Sequence, residues 1–183
     1  MKGLTLPAGL SVILLMAVVL RAENIPTTRL SLKGLEGMAV EVAPIAPDAA
    51  RAGLSEAAIR SAVESRLRKA GIRIFTPQQS RRTPRRPSLH VNVATSKLDT
   101  GEHLYSICLE VTQWVALLID PKTTVAKAIP VPASTWSPRG CFGIVPASDL
   151  SEDVGGAVDR MADEFIDAYR QANPAELVTT PLE

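Results

Sequence analysis

The sequence predicts an α/β fold, a two-layer sandwich in which a mixed sheet of about five strands carries two amphipathic helices on one face. Several segments alternate apolar and polar residues, as half-buried strands do. Two longer segments repeat apolar residues at spacings of three and four, and Gly, Pro or Asp residues separate the segments. The predicted element order is β-α-β-β-β-β-α.

The first three elements predict a βαβ unit. Residues 36–43 alternate as a half-buried strand, which Pro44 ends. Ser55 is a candidate N-cap for an amphipathic helix that ends before Gly71, a residue that suits the position after a helix. Residues 72–76 then form a short strand that returns beside the first.

The middle of the chain predicts a long β-hairpin. Residues 89–94 and 104–119 both alternate, and turn residues at 99–101 separate them. A further strand is expected over residues 124–131. Pro130 places its far end at an edge of the sheet, because proline cannot donate a hydrogen bond to a neighbouring strand.

The last predicted element is a second amphipathic helix. Ser151 is its candidate N-cap, and Asn173 ends its pattern of apolar residues. Inside a helix a glycine costs about 1 kcal/mol relative to alanine. Because of the glycines at 155–156, we expect the well-formed part to begin nearer Ala157.

The N-terminal segment predicts export to a periplasmic or extracellular location. Lys2 precedes an apolar run over residues 10–20, and Ala22 is a candidate cleavage position. A retained membrane anchor is the alternative, although the mostly apolar segment of about 17 residues is shorter than the roughly 20 of a comfortable helical span. The expected division is a signal peptide at 1–22, a polar lead-in at 23–34, a single domain at 35–174 and a flexible tail at 175–183.

Length and charge limit the partners. The whole chain has a formal net charge of +1, and loss of Lys2 and Arg21 with the signal peptide would make it −1. A nearly neutral domain has no general attraction to nucleic acid, and membrane contact is expected only through an uncleaved N-terminal segment. The remaining chain of about 160 residues suits one hydrophobic core.

The only two cysteines are Cys108 and Cys141. In an oxidising compartment such a pair predicts a disulfide, and two separately buried thiols are the alternative. The bridge would hold the segment 136–145, expected to be a loop, against the sheet. Mutation of either cysteine would then loosen that segment.

Trp114 lies on the predicted outward face of the long strand, where a large aromatic side chain is unusual. Either the loop containing Trp136 and Phe142 covers it, or these aromatic residues form a contact surface. Aromatic side chains are enriched at protein interfaces.

Four arginines lie close together in a segment rich in proline. They could contact an anionic partner such as lipid phosphate or an acidic protein, and a solvated, extended loop is the alternative. The four are Arg81, Arg82, Arg85 and Arg86.

The sequence contains no recognised catalytic or metal-binding motif. His90 and His103 have no second ligand at helical spacing and are expected to be ordinary surface residues. Neither a GxSxG elbow nor a phosphate-binding loop nor a dinucleotide fingerprint occurs. We therefore expect no catalytic residue, no metal and no cofactor.

Six segments of the chain carry a resemblance to known proteins: Gly53-Leu54-Ser55, residues 67–72, residues 87–93, residues 105–114, Thr135-Trp136 and residues 165–174. Together they resemble a family of uncharacterised, secreted bacterial proteins. The resemblance covers most of the chain after the signal segment and implies no established catalytic residue. The element order is also similar to the TolB amino-terminal domain and to LpoB-like envelope modules, which act as non-catalytic adaptors, although the chain has neither a lipobox nor a propeller sequence.

The expected function is that of a non-catalytic secreted or periplasmic module that binds a protein or a cell-envelope component. An enzyme, or an enzyme's accessory subunit, with an unrecognised site is one alternative. A membrane-tethered envelope domain is another.

Overall fold

The computed structural model describes residues 27–120, 122, 124 and 127–174. The predicted signal peptide and tail, and residues 23–26 of the lead-in, lie outside the described residues. The strands are β1 (Gly37–Val42), β2 (Arg73–Ile74), β3 (Ser88–Lys97), β4 (His103–Leu117), β5 (Ile129–Trp136) and β6 (Cys141–Val145). The helices are α1 (Thr27–Leu30), α2 (Pro47–Arg51), α3 (Glu56–Lys69), α4 (Pro77–Arg82) and α5 (Leu150–Ala172).

The strands form one mixed sheet in the order β2-β1-β3-β4-β5, and β6 also pairs with β4. β1 is parallel to both β2 and β3, whereas β3, β5 and β6 are antiparallel to their partners on β4. Side chains of α3 and α5 share one core with the inward side chains of the sheet. The predicted two-layer α/β fold with a βαβ unit at its start is confirmed.

Helix α3 begins and ends as its sequence predicts. The Ser55 hydroxyl accepts a hydrogen bond from the backbone N–H of Ala58 at 3.4 Å, and Gly71 follows the helix with a φ of +82°. One stripe of the helix is buried against the sheet. It consists of Ile59, Val63 and Leu67.

Helix α5 corrects two predictions. It begins at Leu150 and continues through the glycines at 155–156, and Ser151 is not its N-cap. The early start follows from packing, since Leu150 and Val154 are fully buried. Burying such a side chain contributes about 1.5–3 kcal/mol, which outweighs a cost of about 1 kcal/mol for each glycine.

Strand β4 separates the two faces of the sheet. Its alternate side chains Tyr105, Ile107, Leu109 and Val111 are buried beneath the helices. The strand predicted over 104–119 ends at Leu117, and Ile119 beyond it is 76% exposed. The helix layer therefore covers only the first part of the strand.

The chain after the hairpin tip also differs from the prediction. The strand expected over 124–131 begins later, at Ile129, and continues to Trp136 as β5. The second half of the segment 136–145, expected to be a loop, is β6. Both strands run antiparallel to β4 and lie end to end along it.

A β-bulge near the end of β5 directs Trp136 into the core. The register shifts between Val111 and Thr112, so that Val111 pairs with Trp136 and Thr112 with Ser134. The hydroxyl of the extra residue, Thr135, donates to the Val111 carbonyl at 3.2 Å. A bulge changes the face toward which the following side chain points.

The buried amide of Gln113 supports this bulge. Its Nε2 donates to the Thr135 hydroxyl at 2.7 Å and to the Ser31 carbonyl at 3.0 Å. Beyond the bulge, the ring of Trp136 packs edge-on against Phe165 of α5, with centroids 5.3 Å apart.

Gly143→Ala should lower the free energy of unfolding by about 1–3 kcal/mol, the usual cost of overpacking a core. A Cβ at Gly143 would lie 2.7 Å from the Tyr105 hydroxyl oxygen and 2.8 Å from the ring. Gly155→Ala is the control, because its Cβ meets nothing within 4 Å and helix propensity favours it by about 1 kcal/mol. Urea unfolding followed by circular dichroism measures both, and equal effects would contradict the packing.

The hydroxyls of the two tyrosines should ionise at a higher pH in the folded protein than in the unfolded chain. Burial, and then the hydrogen bond that the hydroxyl donates to Asp153, raise the pKa of Tyr105 from 10.0 to about 12. Burial also raises the pKa of Tyr169. Because the pKa of Tyr105 is higher in the folded state, its stabilisation is complete below about pH 10 and is lost as pH rises toward 12.

Tyrosinate absorbance recorded from pH 9 to 12 measures this, with the urea-unfolded chain as reference. The folded protein should titrate at higher pH than the unfolded chain. Ionisation of both tyrosines near pH 10 in a protein that remains folded would show that Tyr105 is not buried as described.

Candidate functional site

The candidate site lies on the face of the sheet opposite α3 and α5. We call this the open face. It presents alternate side chains of β3 and β4, and among the described residues the helix α4 stands at one margin of it.

A groove of about 600 Å³ crosses the open face. Its lining comes from four neighbouring strands and from α4, so that at about 4.8 Å per strand the groove runs roughly 15 Å across the sheet. Glu41 of β1 lies at one end and Pro132 of β5 at the other. Arg81 and Arg86 also line it.

Trp114 and Arg86 form the most distinctive pair in the groove. The guanidinium carbon of Arg86 lies 4.5 Å from the centroid of the Trp114 ring, which is the geometry of a cation–π contact. Trp114 remains 38% exposed. The pair thus offers an aromatic surface and a positive charge side by side.

The backbone before β3 sets the position of Arg86. Arg85 and Arg86 have φ values of +64° and +43°, a conformation that costs a residue with a side chain roughly 1–2 kcal/mol. Trp114 holds this segment beside β4, since its backbone N–H donates to the Arg85 carbonyl at 2.7 Å.

The side chain of Arg85 fastens the same segment from the other side. Its Nη1 donates to the Ser31 carbonyl at 3.2 Å and its Nη2 to the Lys33 carbonyl at 2.8 Å. These contacts help to offset the backbone cost and leave Arg86 over the groove.

The structure thus divides the predicted arginine cluster. Arg81 and Arg86 line the groove, Arg85 binds backbone carbonyls, and Arg82 is exposed outside the groove lining. The expected loop is partly helical, because Arg81 and Arg82 belong to α4. Whether the cluster contacts an anion stays a prediction.

A Ser–His–Glu group on the groove floor was missed by sequence reasoning. Ser88 Oγ lies 3.0 Å from Glu41 Oε1 and 3.0 Å from His90 Nε2, and His90 Nδ1 lies 3.7 Å from Glu41 Oε2. Glu41 pairs with His90 through the parallel contact of β1 and β3. The alternation of β3 did place Ser88 and His90 on one face, but Glu41 is distant in sequence.

The proton positions in this group follow from donor and acceptor chemistry. The Glu41 carboxylate only accepts, so the single Ser88 hydroxyl proton is donated to it. His90 Nε2 must then carry a hydrogen and donate to Ser88. In this arrangement Nε2 is not free to take the proton of Ser88, as a general base would.

The predicted aromatic contact surface is only partly present. Trp114 and Phe142 are exposed, whereas Trp136 is buried, so its inclusion in that surface is wrong. Phe142 is 79% exposed and pairs with Ser106. It lies roughly 27 Å along β4 from Trp114, so the expected loop does not cover Trp114.

The predicted disulfide is not formed, and both cysteines are free. Cys108 is exposed on the open face, whereas Cys141 pairs with Ile107 and faces the helix side. Side chains of opposite faces cannot approach to bonding distance through a sheet. Burial and the charge of Glu110 raise the pKa of the Cys108 thiol, which disfavours the reactive thiolate.

His103 corrects the expectation of two surface histidines. It is buried, and its Nδ1 lies 3.8 Å from Asp48 Oδ2 without a hydrogen-bond partner within the described parts of the chain. Among the described residues, no three His, Cys, Asp or Glu side chains form a group that could hold a metal ion. No helix within residues 27–120 and 127–174 is long and apolar enough to span a membrane.

Comparison with known proteins does not assign the chain to a family. No protein-family model matches the chain, and no curated protein matches it in sequence.

Both thiols should be found free. Dithiobis(nitrobenzoate) should titrate two thiols in urea. Cys108→Ala should change the free energy of unfolding by less than about 0.5 kcal/mol, because no bond is lost. Proteolysis of segment 136–145 should not change. Titration of fewer than two thiols, or faster proteolysis of segment 136–145 in Cys108→Ala, would show that the disulfide forms.

Proposed function

We propose that this protein is an exported, non-catalytic module that binds a protein or cell-envelope partner through the open face of its sheet. The observation that carries the proposal is the groove with Trp114 half-exposed beneath the Arg86 guanidinium. Tryptophan and arginine are the residue types most often found at the energetic centres of interfaces. The element order predicted from the sequence is also similar to that of non-catalytic envelope adaptors.

The edges of the sheet favour binding at its face. β5 carries Pro130 and Pro132, which lack the N–H that an added strand would need, and β2 is only two residues long. Addition of a partner strand along β5 or β2 is therefore disfavoured. The open face is the larger surface that remains.

Two features support a non-catalytic role. Ser88 is only 5% exposed, and its hydroxyl is hydrogen-bonded to Glu41. The donor role of His90 Nε2 removes the base that a serine nucleophile requires. The group therefore suits a rigid groove floor better than acyl transfer.

The proposal of export rests on the pattern of residues 1–22 alone. The intact mass of the protein recovered from its host separates a cleaved signal peptide from a retained tether. A full-length chain in the membrane fraction would favour the tethered alternative.

Affinity capture from the native cell envelope, with matched variants, tests the binding role. The wild-type protein and Arg82→Gln should retain the same partner, because Arg82 does not line the groove. Trp114→Ala should lose at least about nine-tenths of it, in keeping with the loss of more than 1–2 kcal/mol expected for a central aromatic contact. Equal capture by all three proteins would place binding elsewhere.

The enzyme alternative has a specific test at Ser88. A fluorophosphonate probe labels a serine that an adjacent base activates. The native protein should remain unlabelled, as should Ser88→Ala. Labelling that requires Ser88 would replace the binding proposal with a hydrolase.

A further inference from the structure

We propose that the groove binds an acidic peptide segment of a partner protein, with Arg86 as the principal contact for a side-chain carboxylate. The inference rests on the proposed binding function and names the chemistry of its partner. It is argued from charge, from hydrogen-bonding capacity and from the dimensions of the groove.

The Arg86 guanidinium is free to bind an anion. Within the described residues it has no hydrogen-bond or ion-pair partner, in contrast to Arg85, whose donors are used by two carbonyls. The Arg86 guanidinium carbon lies 4.5 Å from the centroid of the Trp114 ring, and the planar guanidinium carries its N–H donors along its edge. This edge matches the two oxygens of a carboxylate. Arg81 adds a second positive charge to the groove.

Glu41 does not cancel this attraction. It lies on β1, two strands from β4, and its partner His90 pairs with Glu110, four residues before Trp114, so Glu41 and Trp114 are roughly 16 Å apart in the plane of the sheet. That distance is about two Debye lengths at physiological salt. One of its oxygens also accepts from Ser88. The positive end of the groove is therefore distinct from the end that holds Glu41.

The hydrogen-bonding groups of the groove favour a peptide over a glycan. A glycan presents many hydroxyls, and each needs a free polar partner when it is buried. The Ser80 hydroxyl donates to the Pro87 carbonyl at 2.9 Å, and the Ser88 hydroxyl is engaged with Glu41 and His90. Besides the arginines, the polar groups of the lining that remain are the Thr112 hydroxyl, His90 Nδ1 and one oxygen of Glu41, which are few for the hydroxyls of a glycan.

The shape of the groove suits an extended peptide. Its length of roughly 15 Å accommodates about five extended residues. Pro77, Trp114 and Pro132 provide apolar surface along it, against which apolar side chains beside an acidic residue can pack. The expected ligand is a short extended segment with alternating acidic and apolar residues.

Fluorine NMR of the protein labelled with 5-fluorotryptophan tests the proposal. The chain has two tryptophans, so Trp114 reports on the groove and buried Trp136 is an internal control. The resonance of Trp114 is assigned with Trp114→Phe. The probes are a twelve-residue alternating Glu-Ala peptide, its Gln-Ala counterpart, polygalacturonate, and vesicles containing phosphatidylglycerol. The Glu-Ala peptide should shift only the Trp114 resonance, and the Gln-Ala peptide should not.

Variants of the groove assign the contact. Arg86→Gln should weaken binding of the Glu-Ala peptide at least about tenfold, in line with the loss of a charge-assisted hydrogen bond. Arg86→Lys should weaken it several-fold, because it keeps the charge but loses the planar fork. Glu41→Gln should change peptide binding by less than about twofold, because Glu41 lies at the far end of the groove. Arg82→Gln is the matched control that should bind unchanged.

The outcomes separate this inference from the proposed function. A response to polygalacturonate or to the vesicles without one to the Glu-Ala peptide overturns the peptide assignment and leaves the binding role intact. Equal binding by Arg86→Gln and Arg82→Gln overturns the role of Arg86. If no probe shifts the Trp114 resonance, the inference is overturned. If the fluorophosphonate probe also labels Ser88, the proposed function fails as well.

Discussion

The uninterrupted antiparallel pairing of β3 with β4 is the constraint on which the rest of the structure depends. It runs through ten consecutive pairs, from Ser88 with Thr112 to Lys97 with His103. Because side chains alternate strictly along both strands, this register decides the helix-covered core and the open face together. A slip of β4 by one residue would turn Trp114 toward the helices and expose the inward side chains of that strand. The groove and the core are therefore two results of the same hydrogen-bonded ladder.

The functional groups of the open face are positioned by irregular backbone next to the regular strands. The left-handed conformations of Arg85 and Arg86 bring a guanidinium over Trp114, and the bulge at Thr135 moves the other tryptophan out of this surface and into the core. Gln113 is the buried polar residue that makes the bulge possible, since its amide satisfies the Thr135 hydroxyl and a carbonyl of the chain before β1. Local departures from regular geometry thus place Trp114 in the groove and Trp136 in the core.

Much of the fold follows from local sequence signals, and most of the site does not. Alternation identifies the faces of β4, and a capping serine and a terminal glycine bound α3, because those signals act within a few residues. The bond between Cys108 and Cys141 was predicted wrongly, because it depends on the register of β6 against a strand about thirty residues away. Glu41 beside His90 required the parallel pairing of β1 with β3. The start of α5 was misjudged, because burial of Leu150 and Val154 outweighs local propensity.

The placement of the two thiols decides in which state of the chain a disulfide can form. Cys108 and Cys141 face opposite sides of a sheet one strand thick, and β6 must leave β4 before their sulfur atoms can meet. An intrachain bond would therefore form only in a chain that had opened under oxidising conditions, and once formed it would prevent β6 from returning to its register. The presence of this disulfide would therefore distinguish molecules that had unfolded from molecules in which β6 had remained paired with β4.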